Sequence, residues 1–450
     1  MNEANAVVSD ENSEIRSEDN LGLSRFHPVW VSEFVPALAG ALMNFGISVW
    51  VFRTTVSVTA VALLGMSSMI PRACSSVFAG AMVDRYGPRR AILLGNVGAI
   101  VAMVPSLLLF WRGQLAVWHI CVSIAFASAF QSFLWPAALA AIPALVGKKD
   151  FVRANGILQA CNAVTTIVAP LIAGVVILHY NLGVLLLIGI AMYVAAIPVL
   201  APVRIRRLEK SKEVGQSSSV LREINDAWTF LRLERDLLRL VVIFAMFTFI
   251  ISIASILLKP LILSFASASA LGTVISIGGV GMLLGGVAIT TSGKGATSIR
   301  EVMSLMTVAG LCMMMAGSRP MLLLIAIGTF IYSLVMPVVG SGIQTIIQTR
   351  VPADLQGRMH ATMAAVGFAT MPFAFLIAGP LADYVFNPLL VDGGVLASSV
   401  GRIIGVGEFR GIGLLYICLG ALIVGLSLIG QVEPQKESES YRANALVTNE

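Results

Sequence analysis

Long apolar stretches recur along this chain, and they limit what it can fold into more than any other feature. Stretches of 18 or more residues contain few charged side chains, and a helix of that length crosses roughly 30 Å of hydrocarbon. Only 12% of all residues are charged, against roughly a quarter in soluble domains. Strands of a membrane barrel would alternate polar with apolar residues, and these stretches do not. The sequence therefore predicts an all-α membrane protein.

Twelve spans are predicted from these stretches. They cover 29–52, 58–83, 91–111, 115–146, 156–178, 182–203, 238–259, 268–291, 301–317, 320–347, 361–384 and 411–430. An even number of spans places both ends of the chain on one side of the membrane. Of the 30 Lys and Arg residues, 23 fall in the tails and loops of that side and six in the opposite loops. The positive-inside rule therefore predicts that both termini are cytoplasmic.

An internal repeat divides the predicted spans into two halves. The segment Leu-Ile-Ala-Gly occurs at 171–174 and again 205 residues later at 376–379, and the same displacement maps Gly80 onto Gly285. We therefore predict two equivalent six-helix bundles, because many membrane transporters are duplicated bundles. The predicted organisation is a cytoplasmic tail (1–28), a first bundle (29–203), a linker with an amphipathic helix (204–237), a second bundle (238–430) and a second tail (431–450). The basic linker helix either binds anionic lipid or is a solvated connection.

Several functional classes find no support in the sequence. It shows no nucleophile paired with a base, no His or Asp metal spacing and no phosphate-binding loop, so we predict neither an enzyme nor a metal or other cofactor. The five cysteines all lie in apolar spans and show no disulfide pattern. The net charge of +6 is spread between spans, so we predict no binding to nucleic acid.

The loop between spans 2 and 3 carries the most specific motif. It contains a glycine, three residues, and then an acid–arginine pair followed by glycine and two arginines: Gly80, Asp84, Arg85, Gly87, Arg89 and Arg90. Gly80 allows close helix packing, Gly87 permits a tight turn, and Asp84 can pair with arginines or a helix N-terminus. The motif resembles the loop signature of the major facilitator superfamily. That resemblance implies a cytoplasmic gate held by these residues; the alternative is an ordinary basic loop.

Other segments resemble one branch of that superfamily. Pro170 and Gly174 in span 5 resemble a degraded exporter signature, and they indicate either a helix kink linked to efflux or simple packing. Further short segments are similar to macrolide and multidrug exporters of the drug:proton antiporter-3 group, at 49–52, 130–137, 153–156, 351–358, 392–394 and 405–407. The resemblance implies a bacterial inner-membrane transporter that exchanges a small organic molecule for protons, works as a monomer among lipids and needs no cofactor. The basic residue that many such exporters keep in span 4 is missing here.

Two charged residues are predicted inside spans, where a charge costs about 2.5–3.5 kcal/mol on insertion scales. Glu33 in span 1 is a candidate proton carrier, and it could instead reach the membrane interface or be a structurally paired acid. Arg72 in span 2 is a candidate for substrate or gating contact, for a structural pair with Glu33, or for a misplaced span boundary. The axial offset between them strains a direct bridge.

Polar side chains at membrane depth are candidates for the lining of a cavity. They are Asn44, Ser48, Gln131 and Asn162, together with Trp135. Each could equally hydrogen-bond a neighbouring helix. The function that the sequence favours is export of a drug, antibiotic, siderophore or peptide-type metabolite by alternating access, with a metabolite importer or facilitator as the alternative. A membrane-embedded enzyme or receptor is the least favoured class.

Overall fold

The structure, a computed structural model, describes residues 23–147, 150–200, 235–292, 296, 298–351 and 353–431. This part of the chain is helical and contains no strand, which confirms the predicted all-α class. Both predicted tails and the predicted linker helix lie outside the described residues, except at their edges.

The α-helices are numbered in chain order. They are α1 Leu23–Thr55, α2 Val58–Tyr86, α3 Pro88–Trp111, α4 Val117–Gln131, α5 Leu134–Leu145, α6 Phe151–His179, α7 Leu182–Val199, α8 Arg235–Leu263, α9 Ala268–Ser292, α10 Ile299–Ser318, α11 Leu322–Arg350, α12 Ala353–Pro380, α13 Asn387–Leu390, α14 Gly401–Ile404 and α15 Arg410–Gln431. A π-helix, Leu381–Phe386, connects α12 to α13.

Within the described residues, twelve helical segments are long and apolar enough to cross a membrane. Each overlaps one predicted span, so the chain is a multi-pass membrane protein. The fourth span combines α4 and α5, and the eleventh combines α12, the π-helix and α13. We call the membrane face at which α1 ends the Val56 face, and the face at which α2 ends the Gly87 face.

The fourth span is broken, which the sequence did not predict. α4 ends at Gln131 and α5 begins at Leu134. Pro136 accounts for the break, because proline has no N–H to bond to the carbonyl of Ser132 and its ring clashes with that carbonyl. The break gives Gln131 a position at a helix end within the span.

Contacts between helices group the chain into two compact units. One comprises Met1–Gln216, Ile253–Val280 and Pro372–Ile412, and the other comprises Ser217–Ser252, Gly281–Met371 and Gly413–Glu450. These units cut across the predicted bundles 29–203 and 238–430. The predicted bundles are based on the repeat in the sequence, whereas the two units are based on contacts. The division into two bundles stays a prediction.

In the first unit, an apolar core lies between the helix ends near the Gly87 face. Its members include Phe26, Ile92, Leu158 and Leu200. Three alanines of α5 have no exposed surface: Ala137, Ala138 and Ala141. Such small residues let membrane helices approach closely, so that van der Waals contacts stabilise the bundle.

Both copies of the repeated Leu-Ile-Ala-Gly segment also lie in the first unit, and each packs against the first turn of another span. A Cβ on Gly174 would lie 2.8 Å from the carbonyl oxygen of Ala268, where α9 begins. A Cβ on Gly379 would lie 2.4 Å from the Cα of Thr59, where α2 begins. Only glycine permits either approach. The shared packing role supports the predicted duplication.

The second unit is held together by small residues as well. A Cβ on Gly310 of α10 would lie 2.7 Å from the carbonyl oxygen of Gly420 in α15. The hydroxyl groups of Thr307 and Ser427 form a hydrogen bond of 2.6 Å between the same two helices. Close backbone approach and a polar contact of this kind are typical of helix pairs in lipid.

Candidate functional site

A hydrogen-bonded pair lies in the interior of the first unit. The Nε2 of Gln131 donates to the Oη of Tyr193 at 2.7 Å, and Tyr193 has no exposed surface. A Cβ on Gly40 of α1 would lie 3.1 Å from this Oη and 3.2 Å from Oε1 of Gln131. The glycine therefore lets the polar pair pack directly on α1. Of the two alternatives for Gln131, the described contact is the hydrogen bond to a neighbouring helix.

Glu33 lies seven residues before Gly40 on α1. This spacing is about two helical turns, so both residues lie on one face of the helix. The Oε2 of Glu33 is buried and has no hydrogen-bond partner among the described residues. A buried carboxylate oxygen without a donor is unusual, because most buried polar atoms are paired. Glu33 is therefore the described acid that most needs a functional explanation.

Arg72 belongs to the same polar region. It interacts electrostatically with both Glu33 and Tyr193, yet its side chain is exposed. Among the described side chains, no ion pair within 4.0 Å joins Arg72 to Glu33. The structural pair that the sequence left open is thus an interaction at longer range, and the guanidinium remains accessible. We call Glu33, Gly40, Arg72, Gln131 and Tyr193 the first-unit polar cluster.

The other candidate cavity residues lie elsewhere. Trp135 packs against the apolar core near the Gly87 face. Asn162 is exposed, and its backbone carbonyl accepts a hydrogen bond from Oγ1 of Thr166 at 2.9 Å. α6 continues unbroken through Pro170, whose carbonyl oxygen would lie 2.3 Å from a Cβ on Gly272. In the structure, the degraded exporter signature is a contact between α6 and α9.

The motif loop forms the tight turn at which α2 ends and α3 begins. Gly87 has a φ of 85°, and its N–H donates to the carbonyl of Val83 at 2.8 Å. A positive φ is costly for any residue with a side chain, which explains the glycine. Gly80 and Arg90 are exposed, Arg89 is half-buried, and the guanidinium of Arg85 lies 5.6 Å from the centroid of the Tyr86 ring. The side chain of Asp84 lies outside the described part, so the gate role of the loop stays a prediction.

Lys259 is a charged residue inside a span that the sequence reading missed. The predicted span 7 ends at residue 259, but α8 continues to Leu263. The Nζ of Lys259 donates to Oγ of Ser48 at 2.9 Å and to Oδ1 of Asn44 at 3.4 Å. The apolar residues 261–263 were the signal that the span extends further. Arg72 is therefore not the only cation within the spans.

Asp383 was also missed, because it falls at the edge of the predicted eleventh span. Its carboxylate accepts four hydrogen bonds from the start of α2: from Oγ of Ser57 (2.8 Å), N of Val58 (3.2 Å), and N and Oγ1 of Thr59 (2.9 and 2.8 Å). A carboxylate is well suited to this place, because helix N-termini present unpaired N–H groups and partial positive charge. The residue belongs to the π-helix, an irregularity that often marks functional positions.

The family model described as Major Facilitator Superfamily matches residues 29–375. The chain belongs to the major facilitator superfamily. Within the described residues, no group of three or more His, Cys, Asp or Glu could hold a metal ion.

Curated relatives within the superfamily carry efflux names. Macrolide efflux protein A of Streptococcus pyogenes is 22% identical over 373 residues, which are 80% of this chain and 90% of the relative. Multidrug efflux pump Tap of Mycolicibacterium fortuitum is 25% identical over 338 residues, which are 72% of this chain and 80% of the relative. The chain thus resembles these pumps along most of its length.

Solved structures of superfamily transporters share the fold. The crystal structure of the nucleoside transporter NupG matches with a TM-score of 0.68 and 12% identity, covering 90% of this chain and 98% of that one. A bacterial homologue of the human lysosomal transporter Spinster, solved inward-facing and unoccupied, matches with a TM-score of 0.64 and 12% identity over 91% and 98%. At these identities the likeness concerns the fold alone.

Proposed function

We propose that this transporter exports a small organic molecule by alternating access, in exchange for protons. The efflux names of the relatives support the direction of transport. Superfamily membership supports the mechanism, in which two bundles rock around a central site and no cofactor takes part. The proposed cargo is a drug, an antibiotic, a siderophore or a peptide-type metabolite.

The observation that carries the proposal is a set of hydrogen bonds near the Val56 face. They join α1 and α2, from the predicted first bundle, to Lys259 and Asp383, from the predicted second bundle. Hydrogen bonds between mobile helices can break and re-form at modest net cost, about 0.5–1.5 kcal/mol each for neutral pairs and about 1.5–3 kcal/mol with a charged partner. Such contacts suit a face that closes in one state of the cycle and opens in the other.

Proton coupling is assigned in this proposal to Glu33. Its buried oxygen lacks a protein donor, and the accessible cation Arg72 interacts with it electrostatically. A proton on the carboxyl group would remove this interaction, so loading and unloading the proton would change how α1 and α2 attract one another. The coupling carboxylate would thus act on the same two helices that form contacts near the Val56 face.

The orientation follows from the distribution of Lys and Arg. The positive-inside rule supports a cytoplasmic Gly87 face with both termini on that side. We further propose that the protein is a monomer in the inner membrane of a bacterium, and that the motif loop from Gly80 to Arg90 gates the cytoplasmic face.

The test is uptake into inside-out membrane vesicles. Vesicles with an acid interior would be offered radiolabelled erythromycin, a macrolide, and fusidate, an amphipathic antibiotic. We expect vesicles that contain the parent protein to accumulate at least one probe above the level in vesicles without it, and only while the pH gradient lasts. The Glu33→Gln variant should lose accumulation but retain exchange of labelled for unlabelled probe, because exchange needs the carrier cycle without net proton movement.

Glu408→Gln is the matched control, because Glu408 is an exposed carboxylate in the loop before α15. It should behave as the parent does. Loss of preloaded probe under the same gradient would instead indicate an importer. Gradient-driven accumulation that survives in Glu33→Gln would remove Glu33 as the coupling site while leaving export intact.

A further inference from the structure

A cation inside the membrane lies among neutral partners at the junction of α1 and α8. The ammonium group of Lys259 donates to Ser48 and Asn44, and no described carboxylate lies within 4.0 Å of it. An ammonium group has three N–H donors. Two are used here, so one donor and the whole positive charge remain without a counterpart in the described part of the chain.

An uncompensated charge at this position calls for an explanation. Charged groups within spans are expensive, and they almost always pair with one another or line water-filled space. Helix packing alone would be served as well by a neutral residue, because both contacts of Lys259 are hydrogen bonds that an amide can donate. The positive charge of Lys259 is therefore the feature that a function has to explain.

The neighbouring side chains suit an anion. Asn44 is exposed, although an amide at membrane depth is not expected to face lipid. Its Oδ1 is occupied by Lys259, and its Nδ2 makes no described hydrogen bond. Ser48 donates to the backbone carbonyl of Asn44 at 2.6 Å, so its oxygen accepts from the lysine. An ammonium donor and an amide donor thus lie side by side, and an anionic oxygen can accept from both.

We propose that Lys259 and Asn44 bind an anionic group of the transported molecule, a carboxylate being the simplest fit. This inference rests on the proposed function only in taking the ligand to be the cargo. It narrows the substrate class to organic anions and disfavours cationic drugs. Ser48 acts as a positioning residue, because its hydroxyl oxygen accepts from the ammonium group and its hydroxyl group bonds to the backbone of Asn44.

The test measures binding rather than transport, so that it stands apart from the export assay. Purified protein in lipid nanodiscs would be titrated with fusidate, deoxycholate and 1-naphthylacetate, and with the methyl ester of each. We expect at least one acid to bind about tenfold or more tightly than its ester, since hydrogen bonds to charged groups contribute about that much. Lys259→Gln should abolish the preference, and Lys259→Arg should retain most of it.

Arg53→Gln is the matched control, because Arg53 is an exposed cation near the end of α1, and it should leave the preference unchanged. Repeating the titration with sucrose in place of sodium chloride separates the two sources of anion. Tighter acid binding without chloride means that both compete for the site, as expected. Equal binding of all acids and esters by the parent, or a preference undiminished in Lys259→Gln, overturns the proposal. Export that fails in vesicles while the preference persists would overturn the proposed function alone.

Discussion

The two copies of the Leu-Ile-Ala-Gly segment make the same backbone contact and differ in how that contact is secured. At the junction of α6 and α9, the Oγ of Ser276 donates a hydrogen bond of 2.6 Å to the carbonyl of Ile167. At the junction of α12 and α2, Asp383 follows four residues after Gly379 and accepts four hydrogen bonds. The equivalent position in the first copy is Leu178, which is 49% exposed.

The two copies of the segment thus share a packing contact and differ in their polar contacts. Both junctions rely on a glycine that brings two helices into van der Waals contact. Among the described residues, a charge appears only at the α12–α2 junction, where it bonds to a helix N-terminus. We therefore regard the α6–α9 junction as one that is secured mainly by packing and the α12–α2 junction as one whose closure also depends on a charge.

The largest effect is expected from filling the glycine contacts. Gly379→Ala would place a methyl group 2.4 Å from a backbone atom of Thr59, and overpacking typically costs about 1–3 kcal/mol. The thermal midpoint of the purified protein should fall clearly. Gly174→Ala should lower it less, since its nearest atom is 2.8 Å away. Gly367→Ala, on the same helix with nothing within 4 Å, serves as control, and an equal fall in that variant would contradict the packing argument.

A smaller effect is expected from Asp383→Asn, which should change how often the α12–α2 junction opens. The substitution keeps the shape of the side chain but removes the charge and turns one acceptor atom into a donor that faces other donors. We expect a membrane-impermeant maleimide to label a cysteine placed at Ala62 about tenfold faster than in the parent background, because each bond to a charged group contributes about 1.5–3 kcal/mol. Ala62 is 2% exposed and lies one turn beyond Thr59.

Asp392→Asn is the control for the labelling experiment, because Asp392 is an exposed carboxylate in the loop after α13. Its labelling rate should match that of the parent background. An unchanged rate in Asp383→Asn would show that the carboxylate does not keep the junction closed, and the two junctions would then be alike.

The smallest effect is expected at the other junction. Ser276→Ala removes one neutral hydrogen bond, which contributes about 1 kcal/mol, and the thermal midpoint should fall slightly. Thr273→Ala is the comparison on the same helix, because the Thr273 hydroxyl bonds only to the carbonyl of Ser269 and should be nearly neutral. Faster maleimide labelling of a cysteine placed at Ala268, which has no exposed surface, in the Ser276→Ala background would mean that closure of this junction also depends on its polar contact.

The sequence predicted what depends on local patterns. Apolar length located all twelve spans, because any membrane helix must satisfy its own backbone hydrogen bonds and present apolar side chains. The repeat located the glycines at 174 and 379, and the motif located the turn at Gly87, since a positive φ demands a residue without a Cβ.

The polar contacts could not be predicted, because they join residues far apart in the chain. Lys259 and Ser48 are 211 positions apart, and Asp383 and Ser57 are 326 apart. Both charged residues lie near span ends, where a boundary error of a few residues decides whether a charge is assigned to the membrane or to a loop. The break in span 4 was missed because apolar length alone does not register the loss of one helical hydrogen bond at Pro136.

α2 runs from the Val56 face to the Gly87 face and has a distinct contact at each end. Its 29 residues make a helix about 43 Å long. The first turn of this helix bonds to Asp383, and the helix ends at the tight turn formed by Gly87. Pro71 lies near the middle of α2, and proline is a residue at which helices can bend. Arg72 is the next residue. In the proposed cycle, opening of the α12–α2 junction would therefore also displace a guanidinium group inside the bilayer, and movement near one surface would shift a charge in the interior.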